Sequence, residues 1–248
     1  MPTRPAYLIA IIALLCFATL LSANLRKEFQ ALQDLYDSGK LNELAGQIIS
    51  MKPSNDEERA QISYLNAMLK LKKSEMESLL QQAADKYPRT KYGQIAMVER
   101  AKMHIIDREA LPAKTLLLKV TSTDLMERFY WLTVCAEMLD DYSGMITNAE
   151  NYQRLAPGGE FIEESHYLIA DAYFNQKKYQ SAISTLNKLK TITGFPTDLQ
   201  YFHFKLGHAH QLAGQPNEAL ASFKTGLEIN RFTQLAYSIE DHLFELKD

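Results

Sequence analysis

Two stretches of the 248-residue chain decide its fold: residues 164–189, ESHYLIADAYFNQKKYQSAISTLNKL, and residues 201–227, YFHFKLGHAHQLAGQPNEALASFKTGL. An offset of 37 residues aligns them and pairs Ala170 with Gly207, Ala182 with Ala219, and Leu186 with Phe223. Within each stretch, apolar residues recur three and four positions apart on both sides of a short polar turn, which is the period of an α-helix. The pattern therefore predicts a repeated pair of antiparallel helices.

The same pattern continues towards the N-terminus in a more degenerate form. Positions equivalent to Ala182 recur at intervals of 32 to 37 residues, at Leu44, Leu79, Ala113, Met145, Ala182 and Ala219. A repeat of this length predicts a stacked array of helix pairs. Residues 233–246 form a further amphipathic segment, which we expect to be a helix that covers the apolar face of the last pair.

These residues resemble the tetratricopeptide repeat, a family with a small residue at its eighth position, an aromatic residue at its eleventh and alanine at its twentieth. At these three positions the fifth unit has Ala170, Tyr173 and Ala182, and the sixth unit has Gly207, His210 and Ala219. Small residues are needed because two helices approach closely only where small side chains meet. The resemblance implies an all-α, right-handed superhelical solenoid of about six helix-turn-helix units plus a C-terminal capping helix, in one domain over residues 24–248.

Composition and charge agree with this fold class. The 10 glycines and 8 prolines make up roughly 7% of the chain against an average of about 12%, which argues against a many-stranded β protein. The chain has 27 Lys and Arg against 30 Asp and Glu, a net charge of −3. It therefore lacks the excess positive charge that is typical of proteins that bind nucleic acid. Two cysteines exclude a disulfide scaffold and a four-thiolate zinc site.

Residues 1–23 have the order of a secretory signal peptide. Arg4 precedes an uncharged run from Ala6 to Ala23, which ends in small residues. We expect cleavage after Ala23 and a periplasmic or secreted protein. An apolar run of this length can also span a bilayer, so an uncleaved membrane anchor is the alternative. Lipidation at Cys16 is disfavoured because the bulky Leu15 precedes it.

No constellation of catalytic or metal-binding residues stands out. His203 and His210 are seven residues apart on one helix, whereas helical metal ligands usually sit four apart and need a third ligand. Their fourth and eleventh positions in the repeat indicate packing roles. Cys135 has apolar neighbours and no flanking group that would lower its pKa. We therefore expect a protein that is not an enzyme and that uses no cofactor or metal ion.

An aromatic strip carries the functional hypothesis. In the tetratricopeptide repeat family, the first helices line a concave groove through their second, fifth, ninth and twelfth positions. In the last three units the resemblance places there Tyr130, Tyr167, Asp171, Phe174, Tyr201, Phe204 and His208, rimmed by Glu127 and Glu164. Aromatic anchors with a polar rim are typical of protein interfaces. The alternative is that several of these side chains pack on neighbouring helices.

The predicted function is that of a non-enzymatic scaffold exported to the bacterial periplasm, with a protein or peptide partner in this groove. The groove lacks a Lys or Arg clamp for a terminal carboxylate, so a basic or apolar segment fits it better than an acidic tail. An alternative is an accessory subunit of a cell-wall or outer-membrane assembly machine, anchored to the membrane by residues 6–23. An enzyme is a less favoured alternative.

Overall fold

The computed structural model describes residues 26–193 and 196–246, and these ranges contain helices and no strand. The predicted signal segment, residues 1–23, lies outside the described residues. None of the helices is both long enough and apolar enough to cross a membrane. The described helices are α1 (Lys27–Asp37), α2 (Leu41–Ser50), α3 (Asp56–Met68), α4 (Lys73–Lys86), α5 (Lys91–Ile106), α6 (Ala110–Lys119), α7 (Glu127–Met138), α8 (Tyr142–Leu155), α9 (Ile162–Asn175), α10 (Tyr179–Thr193), α11 (Leu199–Leu212), α12 (Pro216–Ile229) and α13 (Gln234–Glu245).

The helices belong to two compact units, residues 1–100 and residues 101–248, and the division falls within α5. In the first unit α1 packs on α2, and α3 packs on α4. In the second unit α7 pairs with α8, α9 with α10 and α11 with α12, and each pair also packs on the next. The final helix, α13, packs on α11 and α12. This succession of helix pairs confirms the all-α solenoid predicted from the sequence.

Most of the turns that connect the two helices of a pair share one backbone feature. Each contains a residue with positive φ, and these residues are Gly39, Arg108, Asp140, Lys177 and Gly214. In the turn after α11, the Gly214 N–H donates to the Gln211 carbonyl at 3.0 Å, and the Gln215 N–H donates to the His210 carbonyl at 2.9 Å. This Schellman arrangement satisfies the last carbonyls of a helix. Three of the five positions are not glycine, which is how a glycine-poor chain makes so many turns.

In the second helices, residues that are four positions apart in the sequence point into the core. These buried pairs are Leu44 and Ile48, Ala113 and Leu117, Met145 and Ala149, Ala182 and Leu186, and Ala219 and Phe223. The prediction of Leu79 at this position of α4 is wrong. The fourth residue of α4, equivalent to Ala182, is the half-buried Met76, and the fully buried Leu80 is the eighth, equivalent to Leu186. Met76 follows Leu44 by 32 residues and precedes Ala113 by 37, so a mean repeat length does not locate it.

Close packing at small residues holds the pairs of the second unit together. Phe223 of α12 is fully buried and lies over Gly207 of α11. A Cβ atom built on Gly207 would lie 2.6 Å from the Phe223 ring, so no larger residue fits without displacement. One pair earlier, Ala170 and Ala182 are fully buried in a cluster with Leu186 and Leu189. The small residues quoted from the sequence therefore mark the places where paired helices touch.

Polar contacts link successive first helices at nearly constant spacing. The Glu57 carboxylate accepts the Lys91 N–H at 3.0 Å, and the Glu163 carboxylate accepts the Thr197 N–H at 2.9 Å. Each pair of residues is 34 positions apart. Both donors lie at or just before the start of a helix, where the free N–H groups favour an acidic partner. Side chains of one repeat therefore satisfy the backbone of the next.

A buried carboxylate ties the start of the first unit together. Glu58 is almost fully buried and accepts hydrogen bonds from Arg26 Nε and Nη2, both at 2.8 Å, and from the Ser54 N–H at 2.6 Å. The hydrogen bond from Arg26 is the main reason that the pKa of Glu58 falls to about 2, although burial alone would raise it. The ionised form is therefore held in place at neutral pH.

The contact between Gly207 and Phe223 yields a direct stability prediction. Replacing Gly207→Val should lower the free energy of unfolding by about 1–3 kcal/mol, because the added methyl groups overpack the Phe223 site. Gly46 provides the matched control, because it lies inside α2 with nothing within 4 Å of a built Cβ. Gly46→Val should change stability by less than about 0.5 kcal/mol. Urea denaturation of both variants checks this, and equal effects would contradict the packing role.

Candidate protein-interaction surface

The first helices of the last pairs present side chains to one face of the second unit. On α9 and α11 this face carries Asp171, Phe174, Tyr201, Phe204 and His208, all half-buried. We call these five residues, together with Lys205, the aromatic face. Phe174 and His208 lie ring over ring with centroids 5.4 Å apart, and Tyr201 and Phe204 lie on the same helix as His208. The structure therefore brings together five of the seven residues named from the sequence.

Tyr167 and Tyr130, the other two predicted residues, are used mainly in packing. Tyr167 is only 4% exposed, and its ring meets the edge of Tyr201 at 5.0 Å between centroids. Tyr130 is half-buried and stacks on Phe161, with centroids 4.1 Å apart and ring planes 5° apart. Tyr167 therefore positions Tyr201 and offers little area of its own. Tyr130 belongs to a separate cluster with Trp131, Tyr152 and Phe161.

A partly buried ion pair lies at the centre of the aromatic face. The Lys205 ammonium contacts the Asp171 carboxylate, and the Lys205 and Asp171 side chains are 15% and 27% exposed. The same ammonium lies 5.3 Å from the Tyr201 ring centroid and 5.9 Å from that of Phe174, within cation–π range. Burial alone would lower the pKa of Lys205, but the pairing with Asp171 raises it. Lys205 therefore stays charged and anchors both rings.

Sequence reasoning missed Lys205, because its sixth position in the repeat is not among those that line the groove in the family. The sequence predicts no basic clamp there, and the structure places this lysine on the face but already paired with a carboxylate. A usable signal existed, because Asp171 and Lys205 carry opposite charges at a separation of 34 in the sequence. That spacing is three residues, nearly one helical turn, shorter than the 37-residue offset of these two repeats, and it recurs in the contacts between neighbouring first helices.

Glu137 and Glu164 are two further carboxylates near the ion pair, and the positive charge of Lys205 offsets their negative charge only in part. Partial burial and the negative charge of Asp171 raise the pKa of Glu137, while Lys205 and Arg108 lower it. Partial burial and Asp171 also raise the pKa of Glu164, and Lys205 again opposes the shift. Both side chains belong to exposed residues. The aromatic face is thus bordered by acidic groups that repel one another, and an added positive charge would relieve that repulsion.

The aromatic face continues onto α13. The His242 ring lies 5.1 Å from that of His208 and 5.7 Å from that of Phe204, and it stacks on Phe223 at 5.3 Å. Burial is the main cause that lowers the pKa of His208, and His242 and Lys205 add to it. The sequence does not single out His242, because the pattern predicts only a cap over residues 233–246. His242 follows His208 by 34 residues, the same separation as that of Asp171 and Lys205, and this is the signal that locates it.

The remaining histidines and the cysteine have packing environments. His166 is 1% exposed, and its Nδ1–H donates to the Ile162 carbonyl at 2.8 Å. Cys135 is fully buried, and that burial raises the pKa of its thiol to about 11. A thiol of this kind is a poor nucleophile at neutral pH. Among the described residues, no three His, Cys, Asp or Glu side chains are grouped so that they could hold a metal ion.

The ion pair predicts opposite pKa changes from two substitutions. Lys205→Gln should raise the pKa values of Glu137 and Glu164, because it removes a positive charge that stabilises their ionised forms. Asp171→Asn should lower both values, because it removes a negative charge and frees Lys205 to act on them. Carboxyl ¹³C NMR titration measures the shifts, and Lys205→Arg is the control that keeps the charge. Unchanged values in both variants would contradict the proposed coupling.

Comparison with known proteins agrees with this architecture. The family model described as "Tetratricopeptide repeat" matches residues 163–194 and 201–233. No match is found among the curated proteins. The structure titled "Functional Characterization of Pseudomonas Aeruginosa pilF" aligns with a TM-score of 0.65 at 10% identity, over 87% of this chain and 96% of that chain.

Two other solved structures have lower scores. One of MamA aligns with a TM-score of 0.55 at 18% identity, over 62% of this chain and 86% of that one. One from Podosopora anserina with nearly identical tetratricopeptide-like repeats aligns with a TM-score of 0.53 at 17% identity, over 72% and 95% of the two chains. At these identities the likeness concerns the fold alone. The family model identifies two tetratricopeptide repeats, in residues 163–194 and 201–233, and the structural alignments support a shared helical fold.

Proposed function

We propose that this chain is a non-enzymatic scaffold that binds a partner protein or peptide along the aromatic face. One observation carries the proposal: successive first helices place half-buried aromatic rings beside a partly buried ion pair. Rings that are partly exposed and held by their neighbours can bury further area at low entropic cost, which is how interface anchors act. Tetratricopeptide repeat proteins bind protein partners in general, and most are not catalysts.

The charge around the aromatic face favours a basic or apolar segment as the partner. The positive charge of Lys205 is already used by Asp171, so it is not available as a clamp for an acidic tail. Glu137 and Glu164 border the same face, and after burial, the largest cause, the negative charge of Asp171 also raises their pKa values. A Lys or Arg side chain between them would gain more here than in water. An apolar segment would use the rings alone.

The environment of Cys135 and the histidines supports a role without catalysis. The buried thiol of Cys135 has a raised pKa, and burial lowers the pKa values of His166, His203 and His208. Neutral histidines that pack on neighbouring helices have a structural role. Binding is therefore the function that this geometry supports best.

We further propose that the scaffold acts outside the cytoplasm, in the periplasm, after cleavage at Ala23. The support is the order of residues 1–23: a basic head, an uncharged run and small residues at its end. The second candidate is a subunit of a cell-wall or outer-membrane assembly machine, held on the membrane by residues 6–23. The same uncharged run supports it, because an apolar segment of this length can span a bilayer.

Intact-mass measurement of the protein from its native cells distinguishes cleavage after Ala23 from an uncleaved membrane anchor. Export with cleavage should remove residues 1–23 and yield a protein that begins at Asn24. An uncleaved anchor would retain the full mass in the membrane fraction. Full-length protein in the cytosolic fraction would contradict both. Replacing Ala23→Tyr should block cleavage, because the signal peptidase site needs a small residue there, and it provides the control for the expected mass.

Capture from a lightly crosslinked cell envelope tests the aromatic face itself. The tagged full chain should retain a partner that a Phe174→Ala, Tyr201→Ala double variant retains at least tenfold less, the loss typical of interface anchors. Leu111→Ala with Leu118→Ala is the matched control, because these side chains of α6 are 64% and 65% exposed. Circular dichroism confirms that each variant is folded. Capture of the same partner at the same level by both variants would indicate that the partner binds another surface.

A further inference from the structure

The last helix, α13, is held on α11 and α12 at two places along its length. Near its start the Thr233 hydroxyl donates to Gln200 Oε1 at 2.8 Å, and Ile239 is fully buried. Near its end the His242 ring stacks on Phe223, with centroids 5.3 Å apart and ring planes 8° apart. The second half of α13 is therefore docked through an imidazole, a group that ordinarily changes its charge near pH 6.5.

The contact between His208 and His242 is the counterpart of the ion pair between Asp171 and Lys205. Both contacts join neighbouring first helices, and in both the two residues are 34 positions apart. The 37-residue offset of the last repeats aligns Asp171 with His208 and Lys205 with His242. The junction between α9 and α11 thus holds two opposite charges that attract. The equivalent junction between α11 and α13 holds two groups that can only become positive.

Two protons at this junction would oppose each other. The rings of His208 and His242 have centroids 5.1 Å apart, a distance at which two positive charges repel. Burial is the largest cause that lowers the pKa of His208, and the charges of His242 and Lys205 lower it further. Asp171 and Glu245 act in the opposite direction. Asp171, however, is already paired with Lys205.

Glu245 is the carboxylate of α13 that faces the two imidazoles, and it can balance only one positive charge. It lies 3.5 Å from His242 Nδ1 and accepts a hydrogen bond from Gln211 Nε2 at 3.1 Å. From α12 the same rings are met by Phe223, which carries no charge. A proton on His242 is thus partly compensated, whereas a second proton on His208 is not.

We propose that the second half of α13, residues 240–246, is an acid-sensitive latch that docks on α11 and α12 while His208 and His242 are neutral and undocks when both are protonated. Undocking would uncover the rings of Phe204 and Phe223, on which His242 packs. Because the pKa of His208 in the folded chain lies below its ordinary value, its contribution to docking is present above about pH 6.5 and is lost as the pH falls.

Hydrogen exchange of the full chain at about pH 7.5 and about pH 5.5 tests the proposal. Protection factors, corrected for the intrinsic exchange rate at each pH, report the local opening of each helix. The amides of residues 240–246 should lose protection at least threefold on acidification. The loss should not exceed about tenfold for each histidine, which is the limit for a group with an ordinary pKa of about 6.5 over this interval.

Two variants assign the loss to this junction. His208→Phe with His242→Phe keeps both aromatic rings but removes both protonation sites, so the protection of residues 240–246 should change less than twofold between the two pH values. Glu245→Gln should enlarge the acid loss, because it removes the carboxylate that balances one positive charge and leaves both imidazoles in place. This variant keeps the test valid if the double variant does not fold, which circular dichroism at neutral pH determines.

Three results would overturn the proposal. Equal protection of residues 240–246 at both pH values in the wild-type chain would show that the junction does not respond to protons. The same acid loss in the wild type and in the His208→Phe, His242→Phe variant would assign the loss to other groups. Greater protection at acidic pH would show that the pairing of His242 with Glu245 outweighs the repulsion. None of these results depends on a partner at the aromatic face.

Discussion

The close approach of paired helices at small residues is the constraint on which the second unit depends. Phe223 can lie over α11 only because Gly207 has no side chain, and Ala170 and Ala182 leave similar room one pair earlier. Once each pair is closed, its first helix is fixed relative to the next, and side chains of neighbouring first helices meet, as those of Asp171 and Lys205 do. The interaction surface is therefore a consequence of packing in the core.

The aromatic face combines features that oppose one another in the absence of a partner. The ion pair of Lys205 and Asp171 holds Phe174 and Tyr201 in place, which limits the rotamer entropy that binding would cost. The bordering carboxylates of Glu137 and Glu164 remain under mutual repulsion. In the proposed function, the charge of this surface would favour a partner of opposite sign.

The helical period and the small residues were sufficient to predict the all-α fold and the helix pairs, because both follow from local sequence and close packing. The register of α4 was not predictable from a mean repeat length, because Met76, which takes the place assigned to Leu79, follows Leu44 by 32 residues and precedes Ala113 by 37. The site was predicted in part. Family positions located Phe174, Tyr201 and Phe204, but the burial of Tyr167 depends on Tyr201 across the next helix, and neither Lys205 nor His242 lies at a position that the pattern singles out.

The left-handed turns have a consequence for how such a chain can change over generations. In most of the pairs the last carbonyls of the first helix are satisfied by residues within five positions along the chain, with no help from a distant segment. Duplication or loss of a whole pair therefore leaves the turns of its neighbours chemically intact. Only the stacking contacts at the new junction have to be accommodated. A chain built this way can alter its length in steps of one pair, and the uneven spacing of its repeats is tolerated for the same reason.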